Sequence, residues 1–199
     1  MAARPRAARD DVLSSRPFTV LVLAATMSAA GCHGMILSSV QRERLREAQA
    51  FADRTTAAYQ VAAVNVVPSI RLRTIYDPSD RSISVDPRGL DDRDWLLSLA
   101  HELGHVTLAH RHERTRDVTE LRHMELDANA RAIEILVRVR GWSEDDAVRR
   151  LAGYFVAAND KIRSGTRRLA SGHLPPCHEL DDLLERFPAV RDAPACPRE

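Results

Sequence analysis

The chain has 199 residues, a near balance of charge (29 Lys+Arg against 28 Asp+Glu, net +1 with neutral His) and 44% hydrophobic residues. This balance leaves no basic footprint for nucleic acid, and the length suits one domain with a real core. Aromatic residues make up only 5%, which predicts a helical interior packed from Ala, Leu and Val.

Residues 1–31 read as a leader outside the fold. Arg4, Arg6, Arg9 and Arg16 precede an apolar run from Phe18 to Ala30, a length typical of a signal h-region and short of a membrane span. Ala29-Ala30-Gly31-Cys32 follows and resembles a bacterial lipobox. The resemblance implies cleavage before Cys32 and diacylation of its thiol; an ordinary secretory signal cut nearby is the alternative. Either version predicts an extracytoplasmic domain, periplasmic or at the cell surface, and the first makes it a membrane-anchored lipoprotein spanning 32–199. The leader holds four Arg and two Asp, so its removal takes the net charge from +1 to −1. With Cys32 assigned to lipid, Cys177 and Cys196 remain, either as free thiols or as a bridge stabilising by about 3 kcal/mol through loop entropy.

Apolar residues at helical spacing (Leu45, Ala48, Phe51, Ala52, Ala58, Tyr59) predict a first helix from Ser38 to about Ala62. Ile70, Leu72, Thr74 and Tyr76 alternate, Asp77-Pro78-Ser79-Asp80 is turn chemistry, and Ser82-Ile83-Ser84-Val85 reads as the returning strand of a hairpin. Pro87 and Gly89 end it, and Asp91, Asp92 and Asp94 complement the dipole of the next helix.

That helix carries His101-Glu102-Leu103-Gly104-His105. Residues four apart lie one turn above each other, so His101 and His105 can offer two imidazole nitrogens to one metal ion, with Glu102 placed to deprotonate a water. At this composition the pattern arises by chance roughly 0.02 times in a chain. The flanking run Trp95 to Ala100, with Val106, Leu108 and Ala109 after it, gives the apolar spacing of a buried helix. Catalytic zinc takes three protein ligands and leaves one position open, so a third ligand is required. His110 falls on the opposite side of a continued helix and His112 too far along it, so both read as ordinary surface or helix-end histidines. Glu125, in Glu125-Leu126-Asp127-Ala128-Asn129, lies on a further helix that can pack back across the polar stretch Arg111 to Asp117. Asn129, one turn later, can hydrogen-bond a ligand imidazole, and Asp127 faces away.

Gly141 stops the Glu125 helix, Ser143 with Asp146 caps another through about Ile162, and a short helix from about Glu179 to Phe187 closes the domain. The expected class is α+β, mostly helical, with a small antiparallel β-hairpin beside the metal helix. Ser82 to Val85 is either a plain structural strand or, as zincin-like enzymes use an exposed strand near the metal, the candidate to receive an extended peptide by main-chain pairing.

HELGH followed by ELDAN resembles the gluzincin metallopeptidases, whose second motif is Glu-x-x-Ala-Asp or Glu-x-x-Ala-Asn on a later helix. Two branches are similar: HtpX/BepA-like peptidases, which usually end the motif in Asp, and ImmA/IrrE-like peptidases, which commonly have Asn as at Asn129. Ser171-Gly172-His173-Leu174-Pro175, with Arg186 after it, is similar to the Ser-x-His-Pro loop and downstream Arg of the first branch, with Leu174 inserted. The resemblance spans about Ile70 to Arg186. It implies a zincin-like (minigluzincin) domain holding one Zn2+ through His101, His105 and Glu125, with Glu102 as general base. It also implies that His173 stabilises the oxyanion or caps the metal; His178, Tyr154 and Arg186 are the other candidates for the oxyanion. The expected activity is endopeptidase cleavage of protein or peptide substrates in the envelope or among secreted proteins, with the membrane reached through lipidated Cys32. The alternative is a catalytically silent zinc-binding lipoprotein serving as an envelope assembly or binding factor.

Overall fold

Helix α1 (Ser39–Ala58) begins at a capping box: the Ser38 hydroxyl accepts from the Gln41 N–H at 3.1 Å, and the Gln41 side chain accepts from the Ser38 N–H at 3.0 Å. Two N–H groups that the helix start leaves over are satisfied at once. The computed structural model describes residues 36–69, 74–92, 94–111, 117–166, 174–190 and 192–197, all within one unit spanning Met35–Glu199. The leader at 1–31, Cys32, His112 and His173 lie outside the described residues.

Three short strands follow α1: β1 (Asn65–Pro68), β2 (Ile75–Asp77) and β3 (Ser82–Val85). The expected hairpin is present as β2 and β3, joined by a turn in which the Asp77 carboxylate accepts from both the N–H and the hydroxyl of Ser79. The first hairpin strand is shorter than the alternation suggested, and of its expected residues 70–73 fall outside the described residues.

The sheet is not a bare antiparallel hairpin, because β1 pairs in parallel with β3 and gives the order β1-β3-β2. This overturns the role expected for Ser82 to Val85. With β1 on one side and β2 on the other, β3 has no open edge; Ser82, Ile83 and Val85 are buried. The edge strand beside the His101 helix is β2. The other edge is blunted, since the Gln49 side chain on α1 accepts from the Val66 N–H at 2.7 Å and donates to the Val64 carbonyl at 3.0 Å.

A single 3-10 turn (Gly89–Asp91) leads to α2 (Trp95–Thr107). Leu97, Leu99, Ala100 and Leu103 of α2 are fully buried, and each such leucine contributes about 1.5–3 kcal/mol by leaving water. Helix α3 (Val118–Ile135) starts where the Asp117 carboxylate accepts from the Thr119 N–H at 2.8 Å, seven residues before Glu125. It runs into a π-helical turn (Leu136–Arg140), which the sequence did not announce, and stops at Gly141, whose φ of 78° is the left-handed conformation glycine adopts freely. Helix α4 (Glu144–Arg163) is capped by Ser143, and α5 (Pro176–Arg186) opens with proline in its first turn. A disulfide joins Cys177 on α5 to Cys196 in the tail. The result is a mostly helical α+β fold with a small sheet.

Helices α2 and α3 meet main chain against main chain. A Cβ at Gly104 would stand 2.6 Å from the Ala128 carbonyl oxygen and 3.0 Å from the Ala128 Cα. Only glycine allows that approach, and the two segments that carry His101, His105 and Glu125 face each other across it.

Candidate metal centre

One turn of α2 separates His101 from His105, and their Nε2 atoms lie 3.1 Å apart. From α3, Glu125 sends Oε2 to 3.3 Å from His101 Nε2 and Oε1 to 3.6 Å from His105 Nε2. One ligand atom from each of the three residues lies within 4.8 Å of the others. His105 and Glu125 are buried while His101 keeps partial exposure, so the cluster meets solvent on the His101 side.

Each imidazole is held through its other nitrogen. His101 Nδ1 lies 2.7 Å from Asn129 Oδ1. An amide oxygen carries no proton, so this bond places an imidazole hydrogen on Nδ1 and leaves Nε2 as the nitrogen that faces Glu125. The amide orientation is set in turn by Glu179 of α5, whose buried carboxylate accepts from Asn129 Nδ2 at 3.5 Å. The expected partnership of Asn129 with a ligand imidazole is therefore present. The carboxylate behind it was missed, although Pro176, Leu180 and Leu183 mark the buried side of α5 and place Glu179 on it.

On the other imidazole, His105 Nδ1 lies 2.9 Å from His110 Nδ1. His110 does lie just past a helix end, but its ring is held against His105 and is not an ordinary surface side chain. A continued helix would carry His110 to the far side, but α2 ends at Thr107 and Ala109 takes a φ of 55°. The chain folds back, and the His110 N–H donates to the His105 carbonyl at 3.0 Å. Nothing in Leu108-Ala109 marks that stop, because neither residue is a glycine or a proline.

Glu102 sits beside the cluster, and its Oε2 accepts from the Tyr76 N–H of β2 at 2.7 Å. The edge strand thus turns a main-chain donor toward α2 and holds the carboxylate expected to act as base. Burial works to lower the His101 pKa, but the hydrogen bond to Glu125 and the charges of Glu125, Glu102 and Glu179 outweigh it and push it up to about 10. Two imidazole nitrogens and one carboxylate are a donor set that metal ions accept.

The other predicted residues are placed elsewhere. The Arg186 guanidinium pairs with Asp127 at 2.9 Å and Asp182 at 2.8 Å, tying α5 to α3. The Tyr154 hydroxyl accepts from Ser98 Oγ at 3.3 Å, and His178 is exposed on α5. None of the three is brought to the cluster by a recorded contact. Compared with known proteins, the chain matches no family model, no curated protein and no solved structure.

Proposed function

We propose that the chain is a zinc-dependent metalloendopeptidase, with His101, His105 and Glu125 as the metal ligands and Glu102 as the general base. The observation that carries this is the convergence of two imidazole nitrogens and one carboxylate beside a further carboxylate that three-point coordination does not need. Structural zinc sites are usually closed and cysteine-rich; here both described cysteines are spent on a disulfide. The likeness of HELGH and ELDAN to the gluzincin motifs, nearest to the HtpX/BepA-like branch, supports the same conclusion.

When bound, zinc supplies Lewis acidity, polarising the scissile carbonyl and lowering the pKa of a coordinated water. The chain's own residues do the rest. Glu102, held by the Tyr76 N–H, accepts the proton of the attacking water and returns it to the leaving amine. Asn129 and Glu179 keep the His101 lone pair inward. Strand β2 lies beside α2 and fixes the Glu102 carboxylate through its main chain, so the sheet orients the base.

The proposed substrates are proteins or peptides of the cell envelope or secreted pool, with Cys32 as the lipid anchor of an extracytoplasmic lipoprotein. The Cys177–Cys196 disulfide supports export, because such bonds persist in oxidising compartments. No described helix is long and apolar enough to cross a membrane, so attachment in this reading falls to the acyl chain.

Hydrolysis of unfolded casein by the zinc-loaded protein, with and without chelator and beside Glu102→Gln, tests the proposal. Cleavage that disappears in both controls supports it. A folded, zinc-loaded wild type that cleaves nothing points instead to the silent zinc-binding lipoprotein.

A further inference from the structure

We infer that His110 is a positioning residue, which holds His105 in the one tautomer that can take a metal ion. This rests on His101, His105 and Glu125 forming a metal centre, and it adds a residue that no sequence motif assigns.

The argument starts from a proton count. Two Nδ1 atoms 2.9 Å apart share one hydrogen when both rings are neutral. If His110 owns it, His105 Nδ1 is the acceptor and the His105 proton must sit on Nε2. That proton then points at His101 Nε2, 3.1 Å away, and at Glu125 Oε1, 3.6 Å away, and His105 has no lone pair to offer inside the cluster. If His105 owns it, Nδ1–H donates to His110 Nδ1, the His105 Nε2 lone pair faces His101 and Glu125, and His110 carries its own proton on Nε2. Only the second arrangement coordinates.

The backbone is arranged for this contact. Helix α2 stops after Thr107 with a non-glycine residue, Ala109, in the left-handed region at φ 55°, a conformation such residues seldom adopt. The turn is closed by the His110 N–H on the His105 carbonyl at 3.0 Å, so one residue holds both the main chain and the ring of His105. The rings stand 5.1 Å apart at 60°, as an edge-on hydrogen bond requires, and not stacked. The two ligands are thus supported unequally. His101 leans on an amide oxygen that is always an acceptor, whereas His105 leans on an imidazole that accepts through Nδ1 only when its own proton is elsewhere.

Zinc affinity by chelator competition on the full chain tests this, with wild type, His110→Ala, His110→Asn and Glu125→Gln side by side. Loss of an outer hydrogen bond to a ligand histidine typically weakens metal binding about 10–100-fold, which is the effect expected for His110→Ala. The His110→Asn amide oxygen restores an acceptor and is expected to recover most of the loss. Long-range 1H–15N spectra of zinc-loaded wild type are expected to show His105 protonated on Nδ1 and His110 on Nε2. A His110→Ala protein that binds zinc as tightly as wild type, with Glu125→Gln much weaker, overturns the role of His110 and leaves the metal centre standing. So does a His110 protonated on Nδ1 in the zinc-loaded spectrum. Wild type and Glu125→Gln binding equally weakly overturns the metal centre and His110 with it. Thermal midpoints of the zinc-free proteins separate a merely structural role: a fall in His110→Ala that His110→Asn does not reverse counts against positioning.

Discussion

Replacing Gly104 by alanine places a methyl carbon 2.6 Å from the Ala128 carbonyl oxygen, roughly 0.8 Å inside ordinary van der Waals contact. The atoms it meets are the main chain of α3, so no rotamer change relieves the clash, and the two helices must part. Overpacking of this kind costs about 1–3 kcal/mol, and the better helix propensity of alanine returns at most about 1 kcal/mol. With that return taken in full, the net expectation is a loss of up to about 2 kcal/mol, or a fall of up to about 8 °C in the melting midpoint for a domain of this size. The effect on the metal should be larger in proportion. Ligand distances tolerate only about 0.2 Å, and the imidazoles and Glu125 sit on opposite sides of the interface being wedged apart. Thermal unfolding of the metal-free protein and chelator competition on the loaded one measure the two effects. Stability and affinity both at wild-type values refute the close approach of α2 and α3; reduced stability with unchanged affinity refutes the claim that Gly104 sets the ligand spacing.

Asn129→Ala removes the acceptor for His101 Nδ1, and metal affinity measured by the same competition should fall about 10–100-fold; an unchanged affinity counts against the assigned tautomer. His101 has its pKa raised from 6.5 to about 10 in the folded protein without metal, so its stabilising contribution is fully present below pH 6.5 and is lost as pH rises through 10. Thermal scans in chelator should therefore show the His101 contribution as a lower midpoint at pH 9.5 than at pH 6.5, relative to His101→Ala run in parallel. Metal binding displaces that proton, so metal affinity should instead climb over the same interval. Reduction of the Cys177–Cys196 bond should lower the midpoint by up to the equivalent of about 3 kcal/mol, read by calorimetry with and without reductant; two titratable thiols and no shift would show that the bridge does not support the fold.

The parts legible in the sequence are those whose signal is local. His101, Glu102 and His105 need only the pitch of one helix, and Glu125 was recognisable because its own helix is marked by Ala128, Ala132 and Ile133 at core spacing. The α+β class and the turn at Asp77 to Asp80 follow from equally short patterns. Strand β1 escaped because Asn65-Val66-Val67-Pro68 is short and ends in proline, and because its parallel partner lies 17 residues on in register. Without it, the central strand β3 could be taken for an edge. His110 escaped because the helix stop is imposed at Ala109 by the surrounding fold and no breaker residue marks it. Glu179 escaped because a carboxylate on an amphipathic helix defaults to solvent, and only the docking of α5 against Asn129 reverses that.

The hold on Glu102 from β2 has a consequence for how the protein can change. The donor is an amide of the polypeptide itself, so every amino acid except proline can provide it. The base therefore asks only a main-chain N–H of position 76, whose ring is left to pack against the core. Variation at the exposed neighbour Ile75 changes the surface beside the site while the carboxylate stays anchored.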